Sequence, residues 1–238
     1  MTYEEVCRNF NEIMSVVEKD HYGNVFNQIE KTVVRKEQAT GGGVMHRGYY
    51  CPSIVMDIAI GNCNRGRLIK RLRTQKITYT YGFDDLDRLV TVVNHTEVGD
   101  FFEYIIYDGD VRYGVQFHHH SWSGEYLYEI SKCCYEDGRL QSYERYGYDA
   151  YNKNFSLYQG EFYRYSKDSL EWEWVEILNG EKAVRYIRSL NYQFRIEDGV
   201  LVDYVTENGD VYPVLKKRRI YHSDSSENYV TNGMENLQ

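Results

Sequence analysis

The chain has 238 residues, 42% of them hydrophobic and 27% charged, with a formal net charge of -8 and a mean hydropathy of -0.64. That length can bury a substantial core, the composition excludes a disordered chain, and no apolar run is long enough for a membrane-spanning helix. The acidic balance disfavours nucleic acid, whose phosphates ask for a positive field, and suits a basic partner.

Residues 1–20 carry Glu4, Glu5, Arg8, Glu12, Glu18, Lys19 and Asp20 without an apolar core of signal-peptide type, so a cytoplasmic protein is expected. The five cysteines form an odd set, Cys133 and Cys134 are neighbours, and reduced thiols are expected. Thr2-Tyr-Glu-Glu5 has the form of a capping box. Val6, Phe10, Ile13 and Val17 follow at helical spacing and predict a helix over 2–20, with Gly23 placed as its C-terminal cap. Residues 24–38 fit either a helical face through Val25, Phe26, Ile29 and Val33 or a strand through Thr32, Val33 and Val34. Gly41-Gly42-Gly43 reads as a hinge closing an N-terminal helical segment, 1–43.

From Val44 onward nothing long reads as a helix. Ser53 to Ile60 is β-prone, and Gly61 to Gly66 is a turn. Short aromatic runs then alternate with acidic or glycine turns. I77-T-Y-T-Y-G-F-D-D-L-D-R-L-V90 is the clearest, with later copies at 102–111, 134–140, 155–162 and 192–201. Nineteen of the 25 tyrosines lie between Tyr79 and Tyr212. Turn positions at Gly66, Asp87, Gly109, Gly138, Gly160, Gly180 and Gly199 recur with a period of about 21, enough for two strands and two tight turns per repeat. The longer gap between Gly109 and Gly138 is assigned to a loop inserted at His118 to Gly124. Alternation such as Ile77, Tyr79 and Tyr81 opposite Thr78 and Thr80 is that of pleated strands. Pro52 and Pro213 fall at the edges of the region, leaving the ladder amides free. The expected fold is therefore mainly β: a repetitive antiparallel β-meander of about seven hairpins over 44–215, with an N-terminal α-helix. Lys216-Lys217-Arg218-Arg219 begins a basic and then polar tail, 216–238, expected to be mobile.

Tyr79-x-Tyr81-x(5)-Asp87-Arg88-Leu89, Tyr107-Asp-Gly109 and Tyr135-Glu-Asp-Gly-Arg-Leu140 resemble the YD repeats of Rhs-type polymorphic toxins and teneurin-like shells. They are less similar to the Tyr- and Gly-containing repeats of MORN-like antitoxin proteins. Gly82 stands where the YD pattern has Asp. What the resemblance implies is a small β-hairpin repeat protein encoded among such systems, binding a toxin as its immunity protein. The expected function is thus a non-enzymatic bacterial protein-binding module that occludes a toxin-like or nuclease-like, basic partner. The alternatives are a carbohydrate-binding or glycan-acting sheet and a mobile-element inhibitor of a host nuclease.

Candidate sites are weighed on chemistry. His118 and His120 share a strand face and offer two positions for zinc, but no third ligand stands nearby in sequence, and loop histidines are the favoured reading. Cys133 and Cys134 face opposite sides of a strand, so at most one joins any site. Asp84, Asp85, Asp87, Asp108, Asp110, Glu136, Asp137 and Asp198 recur where tight turns want them, which explains them without catalysis. No nucleophile elbow is present, and the glycine run lacks the Lys-Ser/Thr of a phosphate loop. Arg65 to Arg73 carries five positive charges and reads as an edge strand guarded by cations. No catalytic residue, metal or cofactor is assigned. The aromatic residues Trp122, Tyr163, Tyr165, Trp172 and Trp174 are the expected partner-binding anchors.

Overall fold

Thr2 and Glu5 do close a capping box: the Thr2 N–H donates to Glu5 Oε2 at 2.7 Å and the Glu5 N–H to Thr2 Oγ1 at 3.2 Å. The computed structural model describes residues 2–19, 22–61, 63–70, 76–120, 124–180 and 183–219. Helix α1 spans Tyr3–Lys19 and α2 spans Tyr22–Thr32. Gly23 lies inside α2 and does not cap α1. The ambiguous segment resolves into both of its readings, since α2 ends at Thr32 and strand β1 begins at Arg35 and runs to Thr40. The sheet thus starts inside the segment expected to be helical.

The other strands are β2 (Arg67–Leu68), β3 (Tyr79–Phe83), β4 (Leu89–Thr96), β5 (Gly99–Asp108), β6 (Val111–His120), β7 (Gly124–Glu136), β8 (Arg139–Asp149), β9 (Asn154–Tyr165), β10 (Ser169–Gly180), β11 (Ala183–Glu197), β12 (Val200–Val205) and β13 (Val211–Arg219). All thirteen form one antiparallel sheet in the order β13 to β3, then β1, then β2. From β3 onward it is a continuous meander, as the repeat predicts. It is open, with β13 and β2 as its edges. The basic run at 216–219 belongs to β13, and residues 222–238 lie outside the described ones.

The turns at one end of the sheet follow Asp-Gly chemistry. Asp137 and Gly138, and Asp198 and Gly199, all take positive φ, the conformation a two-residue hairpin turn needs to match strand twist. Along that end, aromatic and arginine side chains alternate from strand to strand. The Arg88 guanidinium lies over the Tyr107 ring, Arg112 over Tyr107 and Tyr135, and Arg139 over Tyr165. This ladder is the physical content of the aromatic-turn-Arg motif, each arginine stacking on a ring of its own or the next hairpin.

The period is not constant, however. Strands lengthen from 5 residues in β3 to 15 in β11, so the three long hairpins of β6 to β11 stretch the repeat. His118 to His120 belong to β6 and not to an inserted loop. Gly160 is mid-strand in β9 and not at a turn. A Cβ there would collide with the Tyr158 ring, which lies along the strand so that its hydroxyl can donate to Glu144 Oε2 at 3.2 Å.

Register sorts the side chains onto two faces. On the first, α1 places Val6, Phe10, Ile13, Met14 and Val17 against Val115, Ile130, Tyr146, Phe155, Tyr158 and Ile177, all buried. Phe26 of α2 stacks on Tyr104 at 4.2 Å. The second face is crossed by residues 41–61 and 63–66, here called the strap. The β-prone stretch at 53–60 forms no strand. Residues Met56–Ala59 make a short helix, α3, and Met45, Cys51, Ile54 and Val55 pack on Cys133, Tyr143, Tyr163, Trp172, Trp174 and Phe194. The glycines at 41 and 42 form a closely packed turn: both have positive φ, and a Cβ on Gly42 would meet the Arg65 carbonyl oxygen at 2.6 Å.

Candidate functional site

The strap is fastened by charge placed where alternation along the strands asks for apolar residues. Glu103 of β5 points inward, beside Gly114 of β6 and Ser131 of β7. Arg47, held at φ 60 by the turn that starts the strap's first 3₁₀ helix, reaches down to it. Its Nε donates to Glu103 Oε1 and Oε2 at 2.9 and 3.0 Å, and its Nη2 to Oε1 at 2.6 Å and to Ser131 Oγ at 3.2 Å. Both side chains are fully buried. Burial alone would raise the Glu103 carboxyl, but Arg47 and His46 outweigh it and hold it well below the usual range.

His46 sits between carboxylates, its Nε2 3.1 Å from Glu103 Oε2 and 3.4 Å from Glu129 Oε1. Its Nδ1 meets the Tyr143 hydroxyl. Carboxylates only accept, so Nε2 carries the proton and Nδ1 accepts from Tyr143. Burial keeps the imidazole below its ordinary pKa despite these neighbours. Glu129 is in turn clasped by Arg145, whose Nε and Nη2 donate at 3.0 and 2.7 Å. Arg145 also donates to Gln159 Oε1 at 3.0 Å, and Gln159 Nε2 to Glu176 Oε1 at 2.7 Å. The result is a polar row across β5 to β10 that is buried beneath the strap and half-exposed beyond it. At the other end of the strap, Ser53 Oγ and the Trp172 indole N–H donate to Glu161 Oε2 at 2.6 and 2.9 Å, and burial pushes this carboxyl up. Arg65 does not guard the edge: it is buried, donating to the Cys51 carbonyl at 2.5 Å and to Asp57 Oδ1 at 3.3 Å.

Gly114 lies directly under the Arg47–Glu103 pair, and a Cβ there would strike Glu103, Ser131 and Arg47 together. The substitution Gly114→Ala is expected to lower stability by about 1–3 kcal/mol through overpacking, measured by urea unfolding. A neutral effect would show that the pair does not sit on this strand.

The expected anchors end up elsewhere than on the surface. Trp172, Tyr163 and Trp174 are 1%, 2% and 5% exposed, and the strap occupies their faces. Tyr165 is half-buried and donates to the Leu140 carbonyl at 2.9 Å. Trp122 lies outside the described residues. As anchors these rings would need open faces. His118 is buried, stacked on Phe101 at 4.1 Å with its Nδ1 2.8 Å from the Tyr126 hydroxyl. Among the described residues no group of three His, Cys, Asp or Glu side chains is placed to hold a metal. Cys133 is buried under the strap and Cys134 is on the other face, as strand alternation requires. The turn carboxylates serve their turns: Asp84 Oδ1 accepts from the Leu86 and Arg88 amides at 3.1 and 2.8 Å. Arg67 and Leu68 do form the edge strand β2, while Arg71 and Arg73 lie outside the described residues.

What the strap leaves uncovered is the far half of the second face, beyond the polar row. Tyr126 and Tyr128 of β7 are 41% and 43% exposed there, and Leu178 of β10 is 39% exposed. Tyr128 is the extra residue of a β-bulge, opposite the step from Gln116 to Phe117, and its ring packs edge-on against Phe101 at 4.8 Å. Glu129, Gly147, Leu157 and Leu178 are direct partners across β7, β8, β9 and β10. Sequence reasoning missed this patch. Its only signal was Tyr126-Leu-Tyr128, two aromatics that the bulge brings to the same face as Phe101.

Fold and site together define an open thirteen-stranded antiparallel meander, padded by helices on one face and half covered by a fastened strap on the other. No protein-family model, curated protein or solved structure matches the chain. No helix among the described residues is long and apolar enough to cross a membrane.

Proposed function

We propose that this protein is a non-enzymatic protein-binding module of a bacterial cytoplasm, acting as an immunity protein that occludes a toxin's active site. The observation that carries the reading is the uncovered half-face. Tyrosines and Leu178 stand exposed on a sheet pinned from both sides, beside the Arg145–Glu129 pair. Tyrosine and arginine are the residue types that dominate interface energetics, and a pinned sheet loses little conformational freedom on binding. The net charge of -8 favours encounter with a basic partner, such as an enzyme built to hold phosphates. The YD-like hairpin repeat is the remaining support for placing the protein among toxin systems.

The test is affinity capture of the tagged protein from its native lysate, followed by assay of the purified pair. One stoichiometric partner whose activity is blocked in the complex supports the reading. The double variant Tyr126→Ala, Tyr128→Ala is expected to bind that partner at least tenfold more weakly, about 1.4 kcal/mol, while its melting curve stays cooperative. A partner held equally well by this variant, or no stoichiometric partner at all, sinks it.

A further inference from the structure

We propose that Thr80 is an acyl-acceptor site, a hydroxyl that takes the acyl group of an activated ester whose acyl chain is short and apolar. The site lies on the first face, the side of the helices, and stands independently of the binding reading. Direct partners place Thr80 of β3, Val93 of β4, Phe102 of β5 and Phe117 of β6 in one row there. His95, two residues along β4 from Val93, reaches diagonally to Thr80, with its Nε2 2.9 Å from Thr80 Oγ1. Its Nδ1 is 3.1 Å from Oδ2 of Asp100, its direct partner on β5. A carboxylate only accepts, so Nδ1 carries the proton and Nε2 accepts from the Thr80 hydroxyl. Hydroxyl, imidazole and carboxylate thus stand in the order that activates a nucleophile.

Other threonines nearby are placed differently. The Thr32, Thr78 and Thr96 hydroxyls donate to backbone carbonyls, which cannot take the proton away. The same order of groups recurs at Tyr143, His46 and Glu103, but the strap seals that site. The His95 and Asp100 side chains are 35% and 36% exposed, open to a small reagent. On the other flank of Thr80 its direct partner on β1 is Gln38, whose side-chain amide is placed to donate to the oxygen that turns negative as a carbonyl is attacked. The acyl chain then lies toward Val93 and Phe102, half-buried apolar side chains. In the reaction, Thr80 Oγ1 bonds to the carbonyl carbon, its proton passes to His95 Nε2, and the bond from that carbon to the leaving oxygen breaks. Nε2 returns the proton to the leaving oxygen, an alcohol departs, and Thr80 is left as an ester. Asp100 acts through His95 and is a positioning residue. An ester of threonine is that of a branched, secondary alcohol, which water attacks slowly, so the acyl group stays and the step is a modification of the chain.

The experiment adds p-nitrophenyl butyrate to the full chain, follows the nitrophenol released and locates the butyryl group by peptide mass spectrometry. A fast phase of one equivalent is expected, with the label on Thr80. Thr80→Val should lose this phase, and Thr80→Ser should keep it. His95→Ala should slow it about a hundredfold, and added imidazole should restore part of the rate. Asp100→Asn should slow it about tenfold or more, with Asp100→Glu recovering part of the loss. Gln38→Leu should slow it about tenfold. A charged acyl chain, supplied as p-nitrophenyl succinate, should label Thr80 about fivefold more slowly or worse. No label on Thr80 in the unaltered chain, or equal labelling of Thr78 and Thr96, overturns the site. So does a rate that His95→Ala leaves unchanged while its melting curve stays cooperative. Equal labelling by the succinate overturns the apolar acyl chain. Release that runs on past one equivalent and vanishes in Thr80→Val supports the nucleophile but overturns both the single transfer and the non-enzymatic part of the binding reading. Failure to capture a partner overturns the binding reading alone.

Discussion

Replacing Glu103 by alanine is expected to cost about 3–5 kcal/mol, the penalty for stranding one charge of a buried pair. Arg47 would keep only the Ser131 hydroxyl at 3.2 Å among its present side-chain hydrogen-bond partners, in a site closed to water. His46 would lose its nearer carboxylate as well. In urea unfolding the loss appears as a lower midpoint, and in heating as a drop on the order of 10 °C for a chain of this size. The double variant Arg47→Met, Glu103→Leu separates the two explanations of such a loss. It removes both charges and is expected to recover most of the stability, because a buried pair is a poor stabiliser compared with apolar packing of the same shape. A single-variant cost below about 1 kcal/mol would place this pair with exposed ones, whose worth is that small, and would undo the account of the strap as a fastened element.

The same residues show how far the sequence could be read. Alternation along the strands and Asp-Gly turns such as Asp137-Gly138 exposed the meander, because both are local and repeat. The capping box at Thr2 was legible for the same reason. Strand length was not. Nothing local says that β9 continues through Gly160, since the demand for glycine there comes from Tyr158 leaning toward Glu144, a contact between strands. The strap was hidden too. Ser53 to Ile60 is as apolar as a strand, and only the aromatic floor supplied by Tyr163, Trp172 and Trp174 turns it into a cover. A faint signal did exist in Glu103, Glu144 and Glu161. Each is an acid at an inward position in an aromatic-rich strand, a placement that costs free energy unless a partner arrives from elsewhere. The partners of Glu103 and Glu161, Arg47 and Ser53, are far away in sequence, and so Trp172 and Trp174 looked like surface anchors when they are core.

Acid is expected to loosen the strap in two stages. His46 has its pKa depressed by burial in the folded chain, so the unfolded chain binds its proton more readily. That contribution to stability is present at neutral pH and declines as the pH falls through about 6.5, the ordinary histidine value. Glu103 is depressed by Arg47 and His46. Its contribution is intact above about 4.3, the ordinary carboxylate value, and is lost progressively below it. Glu161 has the opposite sign. Burial raises it, so its protonated form suits the folded chain, and acidification relieves a cost that neutral pH imposes. In the intact protein, Glu161 therefore offsets part of the stability lost on acidification. Melting temperatures from pH 7 to pH 3 should fall steeply only below about 4.3, by at least 2–4 °C for each ~1 kcal/mol lost in a chain of this size. In the Glu161→Gln variant that offset is gone, so the total fall in melting temperature from pH 7 to pH 3 should be larger. In Glu103→Gln the steep acid stage should shrink, although this variant starts less stable. A melting temperature that stays level from pH 5 to 3, or a fall that Glu161→Gln does not enlarge, would show that these buried groups do not govern how the strap is held.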